Sequence, residues 1–352
     1  MNKSRYPNHD SEYEVGEIRI GVDSPGIDWV KADGSQISRN STLGEKLYRA
    51  GYLTWTTQTS QFGTTVINSV AYGNGLWVAV GGSGTLRTST DAVTWITQTS
   101  NFGTSAINSV AYGNGLWIAS GAGGTLRTST DAVTWVTQTP NFGTSTILSV
   151  VYGNSLWVAG GSGGALRTST NGTTWVTQTS QFGTSTIVSV AYDNGLWVAG
   201  GNSGILRIST DAVTWVTQTP NFGTSQIVTV AYGNGLWAIG GAGGALRTST
   251  DAVTWVTQTS KFTGTIQSIA YGDSLWFAVA VSGAVRTSTD TVTWVTSSTN
   301  FGISVIYSVD YNNGLWVMGS FGGILRTSDS GSSTVVLPEI SADHTLTAWI
   351  KK

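Results

Sequence analysis

The chain has 352 residues and a formal net charge of −2, because 17 Lys and Arg residues face 19 Asp and Glu residues. This balance argues against the basic surface that holds nucleic acid, so we expect no nucleic-acid partner. The absence of cysteine excludes disulfides and thiolate metal sites. The first ten residues are polar and no apolar run approaches the length of a bilayer span, so we expect synthesis in the cytoplasm without a signal peptide and no membrane insertion.

The first segment, residues 1–52, differs from the rest of the chain in composition, since it holds most of the glutamates. It offers one short strand pattern at Val15–Ile20, a Pro-Gly turn that begins at Pro25, and Trp29. So few elements cannot bury a core of their own. We therefore expect this segment to pair with another part of the chain.

Residues 53–332 repeat one unit of about 40 residues, and a period of this length is typical of solenoids and propellers. Two tryptophans and one arginine recur in each unit. The first tryptophan series is Trp55, Trp95, Trp135, Trp175, Trp215, Trp255 and Trp294. The second is Trp77, Trp117, Trp157, Trp197, Trp237, Trp276 and Trp316. The arginines are Arg87, Arg127, Arg167, Arg207, Arg247, Arg286 and Arg326.

One unit reads as four short strands separated by turns. In the second copy these strands are Ile107–Tyr112, Leu116–Ser120, Thr125–Thr128 and Thr134–Thr139. An Asn-Gly pair between the first two is a strong hairpin signal, because both central residues of a type I′ turn need positive φ. The second strand lacks strict alternation of apolar and polar residues, which suits a sheet packed on both faces. These features are typical of a propeller blade.

The order of the strands predicts how the ring closes. The repeat region begins with a strand of the outer type at Trp55, whereas its last unit has Thr334 where a Trp belongs. We therefore expect the Trp55 strand to complete the last blade and remove the open edges. An open solenoid would need polar caps, and the terminal copies look like the others. The sequence predicts an all-β fold, a seven-bladed β-propeller of four-stranded blades closed by the N-terminal strand.

The turn before each tryptophan of the first series resembles the Asp-box of many propellers, a Ser-x-Asp-x-Gly-x-Thr-Trp hairpin. Residues 89–95 keep the Ser, Asp, Thr and Trp, but they are one residue short and lack the glycine. The resemblance implies a propeller architecture. It does not decide a function, because such turns occur in enzymes, lectins and assembly factors.

The repeated tryptophans and arginines are predicted to be structural. Two exposed indoles in every unit would make the chain self-associate, so we expect both tryptophan series in the core between blades. For the arginines three roles are open: to pin the Asp of the turn, to stack on a neighbouring Trp, or to present a ring of charge. Arg87 lies four residues before Asp91. We expect a structural role, because a planar guanidinium group binds well to a fixed carboxylate or stacks on an aromatic ring.

Seven loop phenylalanines are the candidates for ligand contact. They lie among Gln, Asn, Ser, Thr and Gly residues that join one outer strand to the next inner strand, and aromatic faces bordered by amides suit sugars. The alternative is that each ring fills a gap between blades. The seven are Phe62, Phe102, Phe142, Phe182, Phe222, Phe262 and Phe301.

One position of the inner strand varies from copy to copy. If a single asymmetric site lies near the channel, this side chain helps to shape it. The residues are Asn68, Asn108, Leu148, Val188, Val228, Gln267 and Tyr307.

The inventory of reactive side chains disfavours catalysis. Residues 53–331 contain no Glu, His or Cys and one Lys, Lys261. Glycosidases with related turns need paired carboxylates or a Tyr and Glu couple. The aspartates outside the repeated turn, Asp193, Asp273 and Asp310, lie in three different units. We expect no catalytic residue, no cofactor and no metal site, since the two histidines of the chain are isolated.

The two chain ends resemble a known family. The first segment, with Asp33-Gly34-Ser35 after its turn, and the tail that includes Leu337–Ser341 and Leu346–Lys352 resemble the tail-collar or short-tail-fibre domain of bacteriophage proteins. The resemblance implies an anchoring segment at 1–52, the repeats predict the propeller at 53–332, and because neither end can bury a core alone we expect a C-terminal segment at 333–352 that pairs with the first. No His-x-His pair is present, so a metal-threaded fibre tip is not implied. A generic anchoring strand pair is the alternative.

This resemblance implies a structural or attachment protein of the virion tail. The expected partners are other virion tail proteins, host-surface glycan bound by the propeller, and further copies of the chain, with a trimer favoured. Two alternatives stay open: a multivalent lectin of a bacterial cell, which would use equivalent sites for avidity, and an assembly factor that grips a protein on one propeller face.

Overall fold

The computed structural model describes residues 53, 55–297 and 301–329, together with five strands nearer the chain ends. The chain divides into two compact units, one of Met1–Thr54 with Ser332–Lys352 and one of Trp55–Gly331. Within the described residues, no helix has the length and apolar character that a membrane crossing needs.

The larger unit is a propeller of seven four-stranded antiparallel sheets, as the sequence predicts. The first strands, numbered here as blades 1 to 7, are Ile67–Gly73, Ile107–Gly113, Ile147–Gly153, Ile187–Asp193, Ile227–Gly233, Ile266–Gly272 and Ile306–Asn312. The second strands are Leu76–Gly81, Leu116–Gly121, Leu156–Gly161, Leu196–Gly201, Leu236–Gly241, Leu275–Ala280 and Leu315–Ser320. The third strands are Leu86–Ser89, Leu126–Ser129, Leu166–Ser169, Leu206–Ser209, Leu246–Ser249, Val285–Ser288 and Leu325–Asp329. The fourth strands are Ile96–Thr97, Val136–Gln138, Val176–Gln178, Val216–Gln218, Val256–Gln258, Val295–Thr296 and, for blade 7, Thr56–Gln58.

Turn chemistry separates these strands. In blade 1, Asn74 and Gly75 link the first two strands with φ of 49° and 75°, which confirms the hairpin predicted from the Asn-Gly pair. A short 3-10 turn links the second strand to the third in every blade: Gly82–Gly84, Ala122–Gly124, Ser162–Gly164, Asn202–Gly204, Ala242–Gly244, Val281–Gly283 and Phe321–Gly323. Gly84 in this turn has a φ of +65°, and a Cβ there would lie 2.3 Å from the carbonyl oxygen of Gly103 in the next blade. The turn therefore needs glycine for both its backbone conformation and its close contact.

The ring is closed by the strand at the start of the propeller, as predicted. Thr56–Gln58 pairs antiparallel with the third strand of blade 7, and Thr57 lies opposite Arg326. The first strands stand side by side around the axis, and that of blade 7 lies beside that of blade 1. At this seam the backbone N–H of Val70 donates to Ser308 Oγ over 3.1 Å, the same type of bond that joins other neighbouring blades.

The core lies between the blades. The tryptophans of the second strands are at most 1% exposed, and those that precede the fourth strands of blades 1 to 6 are also buried. Between blades 1 and 2, for example, Val80 and Leu86 of one sheet pack in one cluster with Ile107 and Trp117 of the next. At the closure, Trp55 is half-buried and meets Phe277 of blade 6 edge-on, with ring centroids 5.8 Å apart.

The smaller unit contains strands from both chain ends. Thr347–Lys351 is the central strand of a three-stranded sheet, between Ile18–Gly21 and Trp29–Lys31. Gln36–Ser38 pairs with Thr334–Val336. The three-part division of the chain at residues 52 and 332 stays a prediction.

Candidate binding face

The repeated aspartates hold the turns in shape. Asp91 Oδ1 accepts hydrogen bonds from the backbone N–H groups of Val93 and Thr94 and from Ser89 Oγ, each over 2.8 Å. In blade 3, Asn171 accepts the equivalent bonds. The backbone N–H of Thr134, with further donors of its turn, lowers the pKa of Asp131 to about 2. These carboxylates are engaged by their own turns, which is a structural role.

The arginines stack on phenylalanines. The guanidinium carbon of Arg87 lies 5.0 Å from the ring centroid of Phe62, and its Nη2 donates to the carbonyl oxygen of Gln61 over 2.7 Å. The same stacking recurs in every blade. Of the predicted roles, the contact of Arg87 with Asp91 is wrong. Arg87 donates to the carbonyl oxygens of Gln61 and Leu86 and stacks on a phenylalanine, whereas the carboxylate of Asp91 accepts from donors of its own turn, beyond the end of the third strand.

The ligand contact predicted for the loop phenylalanines is contradicted by their burial. The guanidinium group covers one side of each ring, and the 3-10 turn of the preceding blade approaches from another, as Gly84 does at Phe102. A sugar cannot stack on rings enclosed in this way. Each ring instead fills a gap between blades, which is the alternative role that the sequence allows. Their exposed fractions are between 3% and 7% for Phe62, Phe102, Phe142, Phe182, Phe222, Phe262 and Phe301.

The 3-10 turns and the phenylalanine loops lie on one side of the ring, which we call the 3-10 face. They meet through backbone hydrogen bonds such as that from Gly82 N–H to the carbonyl oxygen of Val66, over 3.0 Å. The turns of the repeated aspartates and the Asn-Gly hairpins lie at the opposite ends of the strands. The two sides of the ring therefore carry different residues.

Blade 7 differs from the others on the 3-10 face. Ile303 is 90% exposed where blades 1 to 5 have a threonine, and Phe321 is 58% exposed where the other blades have Gly, Ala, Ser, Asn or Val. The backbone N–H of Phe321 donates to the carbonyl oxygen of Val305 over 2.8 Å, which places Phe321 beside the loop of Ile303. We call these two residues the blade-7 patch.

The first strand of blade 7 also carries an unusual carboxylate. Asp310 occupies the position that is alanine or valine in the other six blades, for example Ala71 in blade 1. It accepts hydrogen bonds from the backbone N–H groups of Tyr311 in its own strand and Tyr72 in blade 1. Solvent reaches part of the residue, yet burial by surrounding protein raises the pKa of Asp310 to about 7. Asp310 stands on a first strand, and the first strands of a propeller surround its central channel, where a carboxyl group can be enclosed by protein and still meet solvent.

The remaining aspartates outside the pattern do not join Asp310. Asp193 and Asp273 are exposed in or beside the hairpin turns at the far end of the first strands. In the part of the chain that the structure describes, no group of three or more His, Asp and Glu side chains could hold a metal ion.

The variable residues of the first strands are half-buried around the axis, at the end of the strands that meets the 3-10 face. Two of them tie neighbouring strands together. Asn68 Nδ2 donates to the carbonyl oxygen of Ile107 over 2.9 Å, and Asn108 Nδ2 donates to that of Ile147 over 3.0 Å.

Comparison with known proteins places the fold but not the function. No family model and no curated protein matches the chain. Solved propellers do. YCF48 from Cyanidioschyzon merolae is 16% identical with a TM-score of 0.64, and the match covers 79% of this chain and 99% of that one. A second structure shows YCF48 bound to a D1 peptide, with 16% identity, a TM-score of 0.65, and coverage of 78% of this chain and 96% of that one.

Two further propellers show how varied these structural neighbours are. Virginiamycin B lyase from Staphylococcus aureus is 8% identical with a TM-score of 0.70, covering 79% of this chain and 98% of that one. The WD40 propeller domain of Doa1 is 15% identical with a TM-score of 0.65, covering 80% and 98%. Identities this low show the fold alone, and the neighbours include an enzyme as well as binding proteins. They add nothing to the resemblance of the chain ends to tail-collar proteins.

Sequence reasoning missed the blade-7 patch and noted Asp310 only as an aspartate outside the pattern. The signal was present in the sequence. When the seven copies are aligned, Ile303, Phe321 and Asp310 each stand where the other copies have a different type of side chain. A pattern of repeated residues does not by itself reveal such single departures.

Replacing one buried phenylalanine tests the structural role of the loops. We expect Phe142→Ala to lower the free energy of unfolding by about 3–5 kcal/mol, because it leaves a cavity between blades. The matched control is Thr144→Ala in the same loop, where an exposed side chain should change stability by less than about 0.5 kcal/mol. Urea unfolding measures both. If Phe142→Ala were as stable as the native chain, the ring would have no structural role and would again be a candidate for ligand contact.

Asp310 predicts a pH-dependent stability. Its folded pKa lies above the unfolded value, so the penalty for the ionised form is absent below about pH 4, grows as the pH rises, and is complete above about pH 7. We expect Asp310→Ala to be about 1–3 kcal/mol more stable than the native chain at pH 8 and no more stable at pH 4. Denaturant unfolding at both pH values measures the difference. The same stability change at both would show that the carboxyl group is well solvated.

Proposed function

We propose that the protein is a non-enzymatic binding module that receives a protein partner on its 3-10 face at blade 7. The proposal rests mainly on the exposure of two apolar side chains in blade 7, Ile303 at 90% and Phe321 at 58%. Large apolar side chains exposed on one part of a protein surface are typical of interaction sites, and an aromatic side chain often supplies much of the binding energy.

The burial of the seven loop phenylalanines favours a protein partner over a glycan. The seven rings that would have stacked on sugars are buried beneath arginines, and the exposed apolar residues of this face are concentrated in one blade. One distinct site suits one partner, whereas a multivalent lectin needs several equivalent sites. The D1 peptide bound by YCF48 supports the idea that a propeller of this kind accepts a polypeptide.

We also propose that the protein is not an enzyme, because the carboxylates of the described residues are bonded within their own turns or lie apart from one another. The turn aspartates bond to their own backbone, as Asp91 does. Asp310 lies in mid-strand, away from the hairpin ends that carry Asp193 and Asp273. Among the described residues, the carboxylates thus lack the facing pair that acid-base hydrolysis requires.

The finer proposal is that this module belongs to a bacteriophage tail and contacts the host surface. Its support is the resemblance of the chain ends to tail-collar proteins, and the strands that both ends contribute to one unit. Ring closure puts Thr56 opposite Thr327, so a propeller can be inserted into such a unit with its two ends close together. Other tail proteins and further copies of the chain, as a trimer, are the partners proposed for the end unit.

The proposal is tested by binding of the labelled full chain to a panel of bacterial strains, with protease-treated and periodate-treated cells compared. We expect Ile303→Thr combined with Phe321→Ala to reduce binding at least tenfold. The change removes two apolar side chains, and burial of each against the partner would contribute about 1–2 kcal/mol. The control is Val93→Thr, which alters a side chain that is 50% exposed outside the 3-10 face.

Protease treatment should abolish the binding and periodate should spare it. If periodate abolished the binding, protease spared it, and the double variant bound normally, the protein would be a glycan lectin instead. Mass spectrometry of gradient-purified particles tests the tail assignment. Recovery of the chain only in the particle-free fraction would contradict it.

A further inference from the structure

The channel mouth on the 3-10 face is chemically divided. The variable residues form one ring there, and the blades follow one another in chain order around the axis. Blades 6, 7, 1 and 2 contribute a contiguous polar arc of Gln267, Tyr307, Asn68 and Asn108. Blades 3, 4 and 5 contribute a contiguous apolar arc of Leu148, Val188 and Val228. The mouth therefore has a polar side and an apolar side.

Asp310 lies deeper in the channel below the polar arc. It follows Tyr307 by three residues in the same strand, which corresponds to about 10 Å along the channel. The carboxyl group accepts hydrogen bonds from the backbone N–H groups of Tyr311 and Tyr72, which puts it at the seam between blades 7 and 1, near the middle of the polar arc.

The polar side offers acceptors. Asn68 and Asn108 each donate from Nδ2 to a carbonyl oxygen of a neighbouring strand, and each also carries an amide oxygen that can accept a hydrogen bond from a ligand. Asp310 adds a carboxyl group, and the influences on its pKa are burial and backbone hydrogen bonds, with no cationic side chain among the described residues contributing. A site of this kind is complementary to a hydrogen-bond donor that carries positive charge.

We propose that the channel mouth binds one basic side chain, an ammonium or guanidinium group, of the protein partner. The cationic head points along the polar arc towards Asp310, and the alkyl stem packs on the apolar arc opposite, as long basic side chains do on apolar surfaces. This deepens the proposed function, on which it rests, by naming what the partner inserts. Pairing in an enclosed site would also offset the unfavourable burial of the carboxylate.

A metal ion is a poorer occupant of the same place. Among the described residues no cluster of three acidic or histidine side chains is available to hold one, and amide oxygens on one side of a partly apolar ring do not surround an ion. An organic cation uses both arcs at once, because it has a charged end and an apolar stem.

The test uses two peptide probes, acetyl-Leu-Lys-Leu-amide and acetyl-Leu-Gln-Leu-amide, titrated into the full chain and followed by saturation-transfer NMR. We expect the lysine probe to bind at least tenfold more tightly than the glutamine probe, and Asp310→Ala to remove most of this preference. That variant should fold, because alanine occupies the same position in five other blades. Leu148→Asn, which extends the polar arc into blade 3, should weaken both probes severalfold.

The matched control is Asp193→Ala, which removes an exposed aspartate of another first strand and should change neither affinity. Equal affinity for the two probes, no binding of either, or an unchanged preference in Asp310→Ala would overturn the proposal. The double variant of the blade-7 patch should still prefer the lysine probe. If it does so yet binds cells normally, the channel site stands and the proposed role of the patch fails.

Discussion

The packing of each blade against its two neighbours is the constraint on which the rest of the structure depends. Trp117 and its counterparts are buried in the second strands, and the clusters around them draw on two adjacent sheets. A fully buried indole contributes about 4–6 kcal/mol by area, as an upper bound. A sheet with two apolar faces cannot stand alone, so the series of blades must close on itself. The strand at Thr56–Gln58 meets this need by completing the blade at the other end of the propeller.

The same constraint decides where function can reside. The residues that repeat in every blade are engaged in building the ring: phenylalanines between blades, arginines over their rings, and aspartates in the turns. Few of these groups remain available for a partner. One blade differs from another on the surface only where a residue departs from the repeat, as Phe321 and Asp310 do. Both belong to the last blade, where the chain also closes the ring.

Much of the fold could be predicted from the sequence because its signals are local and repeated. The Asn-Gly hairpins need positive φ at two adjacent residues, and the surplus outer strand at Trp55 fixed the closure. The site was harder to predict because its contacts cross between blades. Phe102 stands in a polar loop that suggests exposure, yet it is enclosed by Gly84 from the preceding blade and Arg127 from its own. Arg87 and Asp91 are close in sequence, but Arg87 bonds to the phenylalanine loop and Asp91 to its own turn.

Closure of the ring is tested most directly by a cross-link, since the chain has no cysteine of its own. Thr56 and Thr327 are paired in register between the closing strand and blade 7. In Thr56→Cys with Thr327→Cys, we expect a disulfide to form on oxidation and to stabilise the protein by about 2–4 kcal/mol relative to its reduced form. The control combines Thr56→Cys with Thr287→Cys, the equivalent position of blade 6, and should not cross-link. A disulfide in the control, or none in the first pair, would contradict the closed ring.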